Sequence, residues 1–327
     1  MTLKHALAFF LAAPLLAAAS TFALAQAPYP ERPIRMIVPF PPGGGADTTA
    51  RMLAQKMGDG LGQPVTVDNR PGANGLVGTD AVAKAAPDGY TILLTDRGAL
   101  GINPSLYAKL PYDPRKDFAY IGVATDGPYV LVVSAALPVR SVADLVALAR
   151  TKPGALRYGS YGVGSMAQLN LEALARQNGI ALQHVPYKGA PPAVAAVVAG
   201  EVDMTIASPP SLLGFVKEGR VRALAVGSDA RLALLPDVPT LKEAGVAGDP
   251  LLPTYFALAA PAGTPPAVVG RLNEALKQAV TAPDIAARLA AAGLVPNGGT
   301  GAAMTRMVND DVERFAILVK DIGIKPE

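Results

Sequence analysis

Short β-type segments alternate with helical patterns along this chain from Pro33 onward, and this alternation limits the folds that it can adopt. Residues 34–38 are rich in strand-forming side chains. The apolar residues of 50–57 then recur at the i, i+3, i+4 and i+7 spacing of a helix, which we expect Gly58 and Gly60 to end. The same order of strand, loop and helix repeats downstream. It predicts an α/β fold with largely parallel sheets.

The chain is long enough for two such layers. Its 327 residues exceed the roughly 100–200 residues of one domain. After Asp126-Gly127 a new strand begins at 129–133, and Ser141 with Asp144 forms the acidic variant of a capping box that opens a helix. Three helical patterns close the chain, at 265–281, 283–292 and 302–322. We therefore expect two sheets in series.

The first 25 residues are typical of a secretory signal peptide. Lys4 provides a positive start, residues 6–19 are uncharged, and Ala23-Leu24-Ala25 is an A-x-A cleavage site. A membrane anchor is the alternative, but a spanning helix needs about 20 apolar residues and Pro14 interrupts this one. We therefore expect residues 1–25 to be removed and the mature protein to be periplasmic.

The composition excludes several classes of partner and cofactor. The chain has no cysteine, which removes disulfides, thiol nucleophiles and Fe–S clusters. Its 29 Lys and Arg residues are scattered singly among 26 Asp and Glu residues, so no basic patch for nucleic acid is formed. The glycine motifs of nucleotide sites are also absent. We expect no nucleic-acid partner, no metal and no cofactor.

Catalytic residues are scarce in the sequence. His184 is the one histidine beyond the signal peptide, and it lies in an apolar strand without the neighbours that a general base or a metal site needs. Ser160 is not part of a G-x-S-x-G elbow. A structural histidine is the favoured interpretation, and we expect the protein not to be an enzyme.

Glycine-rich loops precede several of the predicted helices. They are Gly43-Gly44-Gly45, residues 159–165 and Lys188-Gly189-Ala190. In open α/β sheets such loops line the crevice at the carboxyl ends of the strands, where helix N-termini attract anions. For a single loop the alternative remains open that the glycines only make tight turns. Three such loops in two sheets predict a cleft for a small anion.

Two charged residues near these loops have two interpretations each. Asp47 falls in the first turn of a helix, where its carboxylate either complements the helix dipole or contacts a ligand. Arg97 follows the third strand and either pairs with Asp96 at the surface or binds a ligand carboxylate through both guanidinium nitrogens.

The chain resembles the Bug family, the extracytoplasmic solute receptors of tripartite tricarboxylate transporters. The resemblance covers essentially all of the mature chain. The segments that carry it are 38–47, 69–75, 85–91, 102–107, 158–160, 185–189, 235–240 and 260–265, which read VPFPPGGGAD, NRPGANG, AAPDGYT, INPSLY, YGS, VPYKG, LPDVPT and APAGTP.

The resemblance implies a two-lobed type II periplasmic-binding-protein fold, with two doubly wound sheets and a cleft between them that closes over a small carboxylate. It implies that 26–125 and 252–327 form lobe 1 and that 126–251 form lobe 2. Together with the loop analysis it gives these candidate ligand-binding residues: Phe40, Pro42, Gly43, Gly44, Asp47, Thr95, Arg97, Ser160, Gly162, Ser165, Tyr187, Lys188, Gly189 and Ser208.

The chain departs from the family pattern at places that affect the ligand. Asp96-Arg97 stands where relatives often have a small hydroxyl residue, and Gln168 stands where a histidine is often found. Ala195-Ala196 replaces a carboxylate that could pair with an amino group. These departures predict a carboxylate ligand without an amine, with Arg97 as a second carboxylate contact.

The family resemblance also implies partners. We expect a monomer that delivers its ligand to the membrane permease subunits of a tripartite tricarboxylate-type transporter. A sensor subunit that presents the liganded form to a signalling partner would use the same cleft, so the sequence leaves this alternative open. A periplasmic enzyme acting on a small carboxylate is the third interpretation.

Overall fold

The structure is a computed structural model that describes residues 29–246 and 252–324. The expected signal peptide at 1–25 lies outside the described residues. In chain order the helices and strands are β1 (Ile34–Val38), α1 (Gly45–Leu61), β2 (Val65–Asn69), α2 (Leu76–Ala83), β3 (Thr91–Asp96), α3 (Asn103–Leu106), β4 (Phe118–Gly127), β5 (Tyr129–Ser134), α4 (Val142–Thr151), β6 (Arg157–Ser160), α5 (Met166–Asn178), β7 (Gln183–Pro186), α6 (Ala190–Ala199), β8 (Met204–Ala207), α7 (Leu213–Lys217), β9 (Val221–Gly227), β10 (Thr254–Pro261), α8 (Pro266–Thr281), α9 (Pro283–Ala291), β11 (Val295–Pro296) and α10 (Gly301–Ile322).

The strands form two mixed sheets, as expected for two lobes. The first sheet has the order β11-β4-β10-β3-β1-β2 and the second has the order β7-β6-β8-β5-β9. β1 pairs in parallel with β2 and β3, and β6 pairs in parallel with β7 and β8. However, β10 runs antiparallel to β3 and β4, and β5 runs antiparallel to β8 and β9. The expectation of largely parallel sheets is therefore wrong.

The antiparallel strands follow from how the chain passes between the sheets. β4 and β5 are separated by Pro128 alone but lie in different sheets, so no crossover helix joins either of them to a parallel neighbour. The chain leaves the first sheet between β4 and β5 and returns to it between β9 and β10. The lobe boundaries at 125/126 and 251/252 stay predictions, and residues 247–251 lie outside the described part.

Helix α1 buries the predicted apolar stripe but is longer than expected. Its inner face packs on the first sheet, with Leu53 and Met57 fully buried. Gly58 and Gly60 do not end the helix, because a glycine inside a helix costs only about 1 kcal/mol and the added turn buries Leu61. The helix ends at Gly62, whose left-handed φ of 73° lets its N–H donate to the carbonyl of Gly58.

Helix α10 packs into the cores of both lobes. Met304 and Val308, in its first half, belong to a buried cluster with strands of the first sheet. Phe315 and Val319, further along, belong to the cluster built on α4, α5 and β5 of the second lobe. The first lobe also contributes Leu106 to that second cluster. Within the described residues, no helix is long and apolar enough to cross a membrane.

Candidate functional site

A cavity lies between the two lobes at the ends of several strands. The space among its lining atoms reaches about 430 Å³ only when open solvent is counted, so the enclosed part is much smaller. Loops after β1, β6, β7 and β8 contribute to its wall, together with β3, β5 and β10. The lining residues are Phe40, Pro41, Gly44, Gly45, Ala46, Asp96, Tyr129, Tyr161, Gly189, Ala190, Pro191, Ser208 and Phe256.

The N-terminus of α1 forms one end of the cavity. No side chain caps this helix at Gly44, so the backbone N–H groups of Gly45 and Ala46 have no partner within the helix. A Cβ atom on Gly45 would lie 2.4 Å from Ser208 Oγ and 2.8 Å from Phe256 Cζ, so only glycine fits there. Free N–H groups at the positive end of a 17-residue helix make a site for an anion.

Asp47 holds the loop before α1 in place. Its carboxylate accepts hydrogen bonds from the backbone N–H of Gly43, from Arg51 and from Asn69, all at 3.0 Å. Asn69 also donates to the carbonyl of Phe40 at 3.0 Å. Burial alone would raise the pKa of Asp47, but the hydrogen bonds from Arg51, Gly43 and Asn69 lower it. These contacts use the carboxylate within the loop; a ligand contact of Asp47 stays a prediction.

The N-terminus of α6 faces that loop from the second lobe. Gly189 has a φ of 109°, and a Cβ atom there would lie 2.4 Å from Pro41 Cγ. Gly189 donates its N–H to the carbonyl of Tyr161 at 3.3 Å. The prolines at the second and third positions of α6 have no N–H, so Ala190 supplies the single free donor of the first turn. The anion-binding capacity therefore lies mainly at α1.

Aromatic rings form much of the remaining wall. Tyr129 and Tyr161 are neighbours at a ring-centroid distance of 6.4 Å, and Phe40 and Phe256 lie on the side of the first lobe. The hydroxyl of Tyr161 donates to the carbonyl of Ile206, and burial raises the pKa of both tyrosines. These phenols therefore stay protonated at neutral pH, and the cavity combines an anion site with an apolar body.

Asp96 and Arg97 point in opposite directions from the end of β3. Asp96 lines the cavity, and its Oδ1 accepts the N–H of Ala99 at 3.1 Å. Arg97 donates from Nε to Asp311 Oδ2 at 3.1 Å and from Nη1 to the carbonyl of Pro253 at 2.5 Å. Asp96 is the last residue of the strand, whereas Arg97 already has helical backbone angles, with φ -56° and ψ -34°, and this turn of the chain separates the two side chains. The alternative expected for Arg97, a surface pair with Asp96, is wrong, because Arg97 pairs with Asp311 instead; a ligand contact of Arg97 stays a prediction.

The other candidates fall into three groups. Those that line the cavity are Phe40, Gly44, Gly189 and Ser208. Those that flank the same loops without lining it are Pro42, Gly43, Gly162, Tyr187 and Lys188. Those buried away from it are Thr95, whose hydroxyl has no hydrogen-bond partner, and Ser160 and Ser165, whose hydroxyls donate to the carbonyl of Gly162.

Sequence reasoning missed most of the residues that line the cavity. The lining residues outside the candidate set are Pro41, Gly45, Ala46, Asp96, Tyr129, Tyr161, Ala190, Pro191 and Phe256. Several of them adjoin candidates in glycine-rich loops and could have been included on that ground. Tyr129 and Phe256 lie inside strands, and no local signal in the sequence marks them as lining residues.

One side-chain pair has the spacing of a catalytic dyad. Ser160 Oγ lies 2.5 Å from His184 Nε2. Ser160 is fully buried, however, and His184 stacks on Tyr158 with a centroid distance of 5.0 Å. Burial lowers the pKa of His184, and no carboxylate of the described residues orients its ring. The described residues also hold no cluster that could bind a metal ion. This geometry supports a structural histidine.

Comparison with known proteins places this chain in a family. Residues 49–324 match the family described as the tripartite tricarboxylate transporter family receptor. Protein BugT of Bordetella pertussis is 39% identical over 298 residues, which cover 91% of this chain and 91% of BugT.

Solved structures agree in fold. The periplasmic binding protein BugD is 33% identical with a TM-score of 0.87, covering 91% of this chain and 100% of BugD. Rpa4515 of R. palustris, solved with adipate, is 34% identical with a TM-score of 0.88, covering 91% of this chain and 100% of that one. MatC of Rhodopseudomonas palustris, solved with malate, is 31% identical with a TM-score of 0.83, covering 89% of this chain and 100% of MatC. The chain therefore belongs to the tripartite tricarboxylate transporter receptors of the Bug type, a family of solute-binding proteins.

Proposed function

We propose that this protein captures a small organic carboxylate in the cavity between its lobes and delivers it to the permease subunits of a tripartite tricarboxylate-type transporter. The observation that carries the proposal is the uncapped N-terminus of α1, which presents the N–H groups of Gly45 and Ala46 to the cavity. The relatives solved with adipate and with malate support a carboxylate ligand.

Contacts across the cavity support lobe closure as the working motion. Pro41 of the first lobe meets Gly189 of the second so closely that only a glycine fits. On another side of the same interface, a Cβ atom on Gly164 would lie 1.9 Å from Leu106 Cδ1. A ligand that contacts both lobes stabilises this closed arrangement and shifts the equilibrium between open and closed forms towards it.

The proposal includes the location and the partners. Residues 1–25 direct the chain across the membrane and are cleaved, so the receptor works in the periplasm. It acts there as a monomer. The permease recognises the closed form. A sensor subunit would use the same cavity and differ in its outer surface, and no observation favours it.

Thermal unfolding with a panel of acids tests the proposal. A ligand bound only by the folded state stabilises it by RT ln(1 + [L]/Kd), about 2.7 kcal/mol at one hundred times Kd. We expect a saturable rise in the unfolding temperature with a subset of small carboxylates, including adipate and malate as probes. Gly189→Ala would weaken that binding at least tenfold, because its methyl group holds Pro41 away.

A matched variant separates closure from backbone strain. Gly200 also has a positive φ, of 76°, but a Cβ atom there meets nothing within 4 Å. Gly200→Ala therefore carries the left-handed strain of about 1–2 kcal/mol without a contact across the cavity, whereas Gly189→Ala, at φ 109° and ψ 174°, carries more. The affinity of Gly200→Ala for the same acid should equal that of the wild type. If no carboxylate stabilises the protein, or if both variants lose affinity equally, the proposed function or its closure step is wrong.

A further inference from the structure

The cavity holds a negative side chain where the proposed function requires an anion to bind. Apart from the tyrosines, Asp96 is the one ionisable side chain among the described residues that line the cavity, and none of these is Lys, Arg or His. Its carboxyl reaches the wall from the end of β3, in the same cavity as the N–H groups of Gly45 and Ala46. The cavity therefore has a positive end at α1 and a negative side chain elsewhere.

No cation of the described residues forms an ion pair with Asp96. The charge of Arg97 lowers the pKa of Asp96, but its guanidinium donates to Asp311 and to the carbonyl of Pro253, and its side chain is 15% exposed. The hydrogen bonds to the Asp96 carboxyl come from backbone N–H groups, of which that of Ala99 lies 3.1 Å from Oδ1.

The remaining groups around Asp96 are neutral. The phenols of Tyr112, Tyr129 and Tyr161 face it from the segment after α3, from β5 and from the loop after β6. Burial raises the pKa of each of them, so they stay protonated. A half-buried carboxyl that has neutral phenols beside it and only backbone N–H donors attracts a cation.

The carboxyl of Asp96 is mostly ionised, and therefore negatively charged, near neutral pH. Burial raises the pKa of Asp96 to about 6, against the opposing effect of the N–H groups of Ala99 and Gly98. At pH 7.5 about 97% of the carboxyl is therefore ionised. A second carboxylate in this cavity meets a like charge, whereas an ammonium group meets an opposite one.

We propose that Asp96 selects ligands that carry an ammonium group in addition to a carboxylate. The ligand carboxylate binds the N–H groups at the start of α1, and its ammonium group pairs with Asp96. The inference rests on the proposed function and names the class of its ligand: an amino acid or a comparable zwitterion. It reverses the expectation of an amine-free acid, which was based on Ala195 and Ala196.

Binding calorimetry with matched pairs of probes tests the inference. Each pair contains an amino acid and the acid without its amino group: aspartate with succinate, glutamate with glutarate, and phenylalanine with 3-phenylpropionate. We expect one amino acid to bind the wild type at least tenfold more tightly than its partner acid. Lowering the pH from 7.5 to 5.5 should weaken that binding about fourfold, because the ionised fraction of Asp96 falls to about 24%.

Substitution of Asp96 supplies the second arm. Asp96→Asn should weaken binding of the amino acid at least tenfold and leave the partner acid unchanged or bound more tightly. Asp96→Ser removes the charge and shortens the side chain. It should also weaken binding of the amino acid relative to binding of the partner acid. Asp310→Asn is the control, because Asp310 is exposed on α10, away from the cavity. Its affinities should equal those of the wild type.

The outcomes distinguish the two proposals. If the amine-free acids bind more tightly than the amino acids, and Asp96→Asn or a lower pH strengthens their binding, the inference about Asp96 is wrong and the carboxylate receptor stands. If no member of any pair binds the folded wild type and adipate and malate also fail, both proposals are wrong.

Discussion

Replacing Asp96 with asparagine should stabilise the ligand-free protein. The pKa of this carboxyl rises from an ordinary 3.8 to about 6 in the fold, mainly through burial. The folded state therefore binds the proton more tightly than the unfolded state, and stability falls as the pH rises through this window. Because one pKa unit corresponds to about 1.4 kcal/mol, ionised Asp96 lowers the free energy of unfolding by about 3 kcal/mol above pH 6.

Asparagine removes this penalty and keeps the acceptor. Its side-chain oxygen can still accept the N–H of Ala99, which now lies 3.1 Å from Asp96 Oδ1. We expect the variant to exceed the wild type by about 3 kcal/mol at pH 8 and by about half as much at pH 5, where much of the carboxyl of the folded wild type is protonated.

Urea unfolding of the ligand-free proteins at these two pH values measures the difference. Asp310→Asn, at an exposed position, should change stability by less than about 0.5 kcal/mol at both. A destabilised Asp96→Asn variant, or a difference that does not depend on pH, would refute the argument. Greater stability combined with weaker binding would show that the charge is retained for the ligand.

Two further predictions concern contacts outside the cavity wall. Arg97→Ala should lower the free energy of unfolding by about 3–5 kcal/mol in urea, because Asp311 loses the cation that compensates its buried charge; a loss below 1 kcal/mol would contradict the pairing. Gly164→Ala should weaken ligand binding at least tenfold, and X-ray scattering should show less compaction with ligand, since its methyl group meets Leu106 between the lobes. Gly179→Ala, also at positive φ but in open space, should bind and compact normally.

The sequence predicts the fold well where local chemistry decides the structure. The capping motif at Ser141 forms as expected, with Ser141 Oγ accepting the N–H of Asp144 at 3.0 Å. The apolar stripe of α1 identifies its buried face because helical spacing alone determines which residues share a side. The family resemblance, confirmed by the comparisons, supplies the two-lobed arrangement.

The cavity depends on features that are distant in the sequence. Which of Asp96 and Arg97 faces the cavity depends on the orientation of β3 in the sheet, and two adjacent residues give no indication of it. Phe256 reaches the wall because β10 inserts beside β3 after the chain has built the whole second lobe. Tyr129 reaches it because Pro128 alone joins β4 to β5. Such positions follow from topology rather than from local pattern.

Helix α10 gives the receptor a third connection between lobes that the chain itself links twice. One half of the helix is embedded in the first lobe, and Phe315 and Val319 are embedded in the second. Two lobes joined only by the two chain connections between them can rotate about those connections. Helix α10 restricts this rotation, because Phe315 and Val319 are packed in the second lobe and must move with it. Opening therefore has a cost that depends on side chains remote from the ligand. Substitutions along α10 can tune affinity through the resting angle of the lobes and leave every ligand contact unchanged.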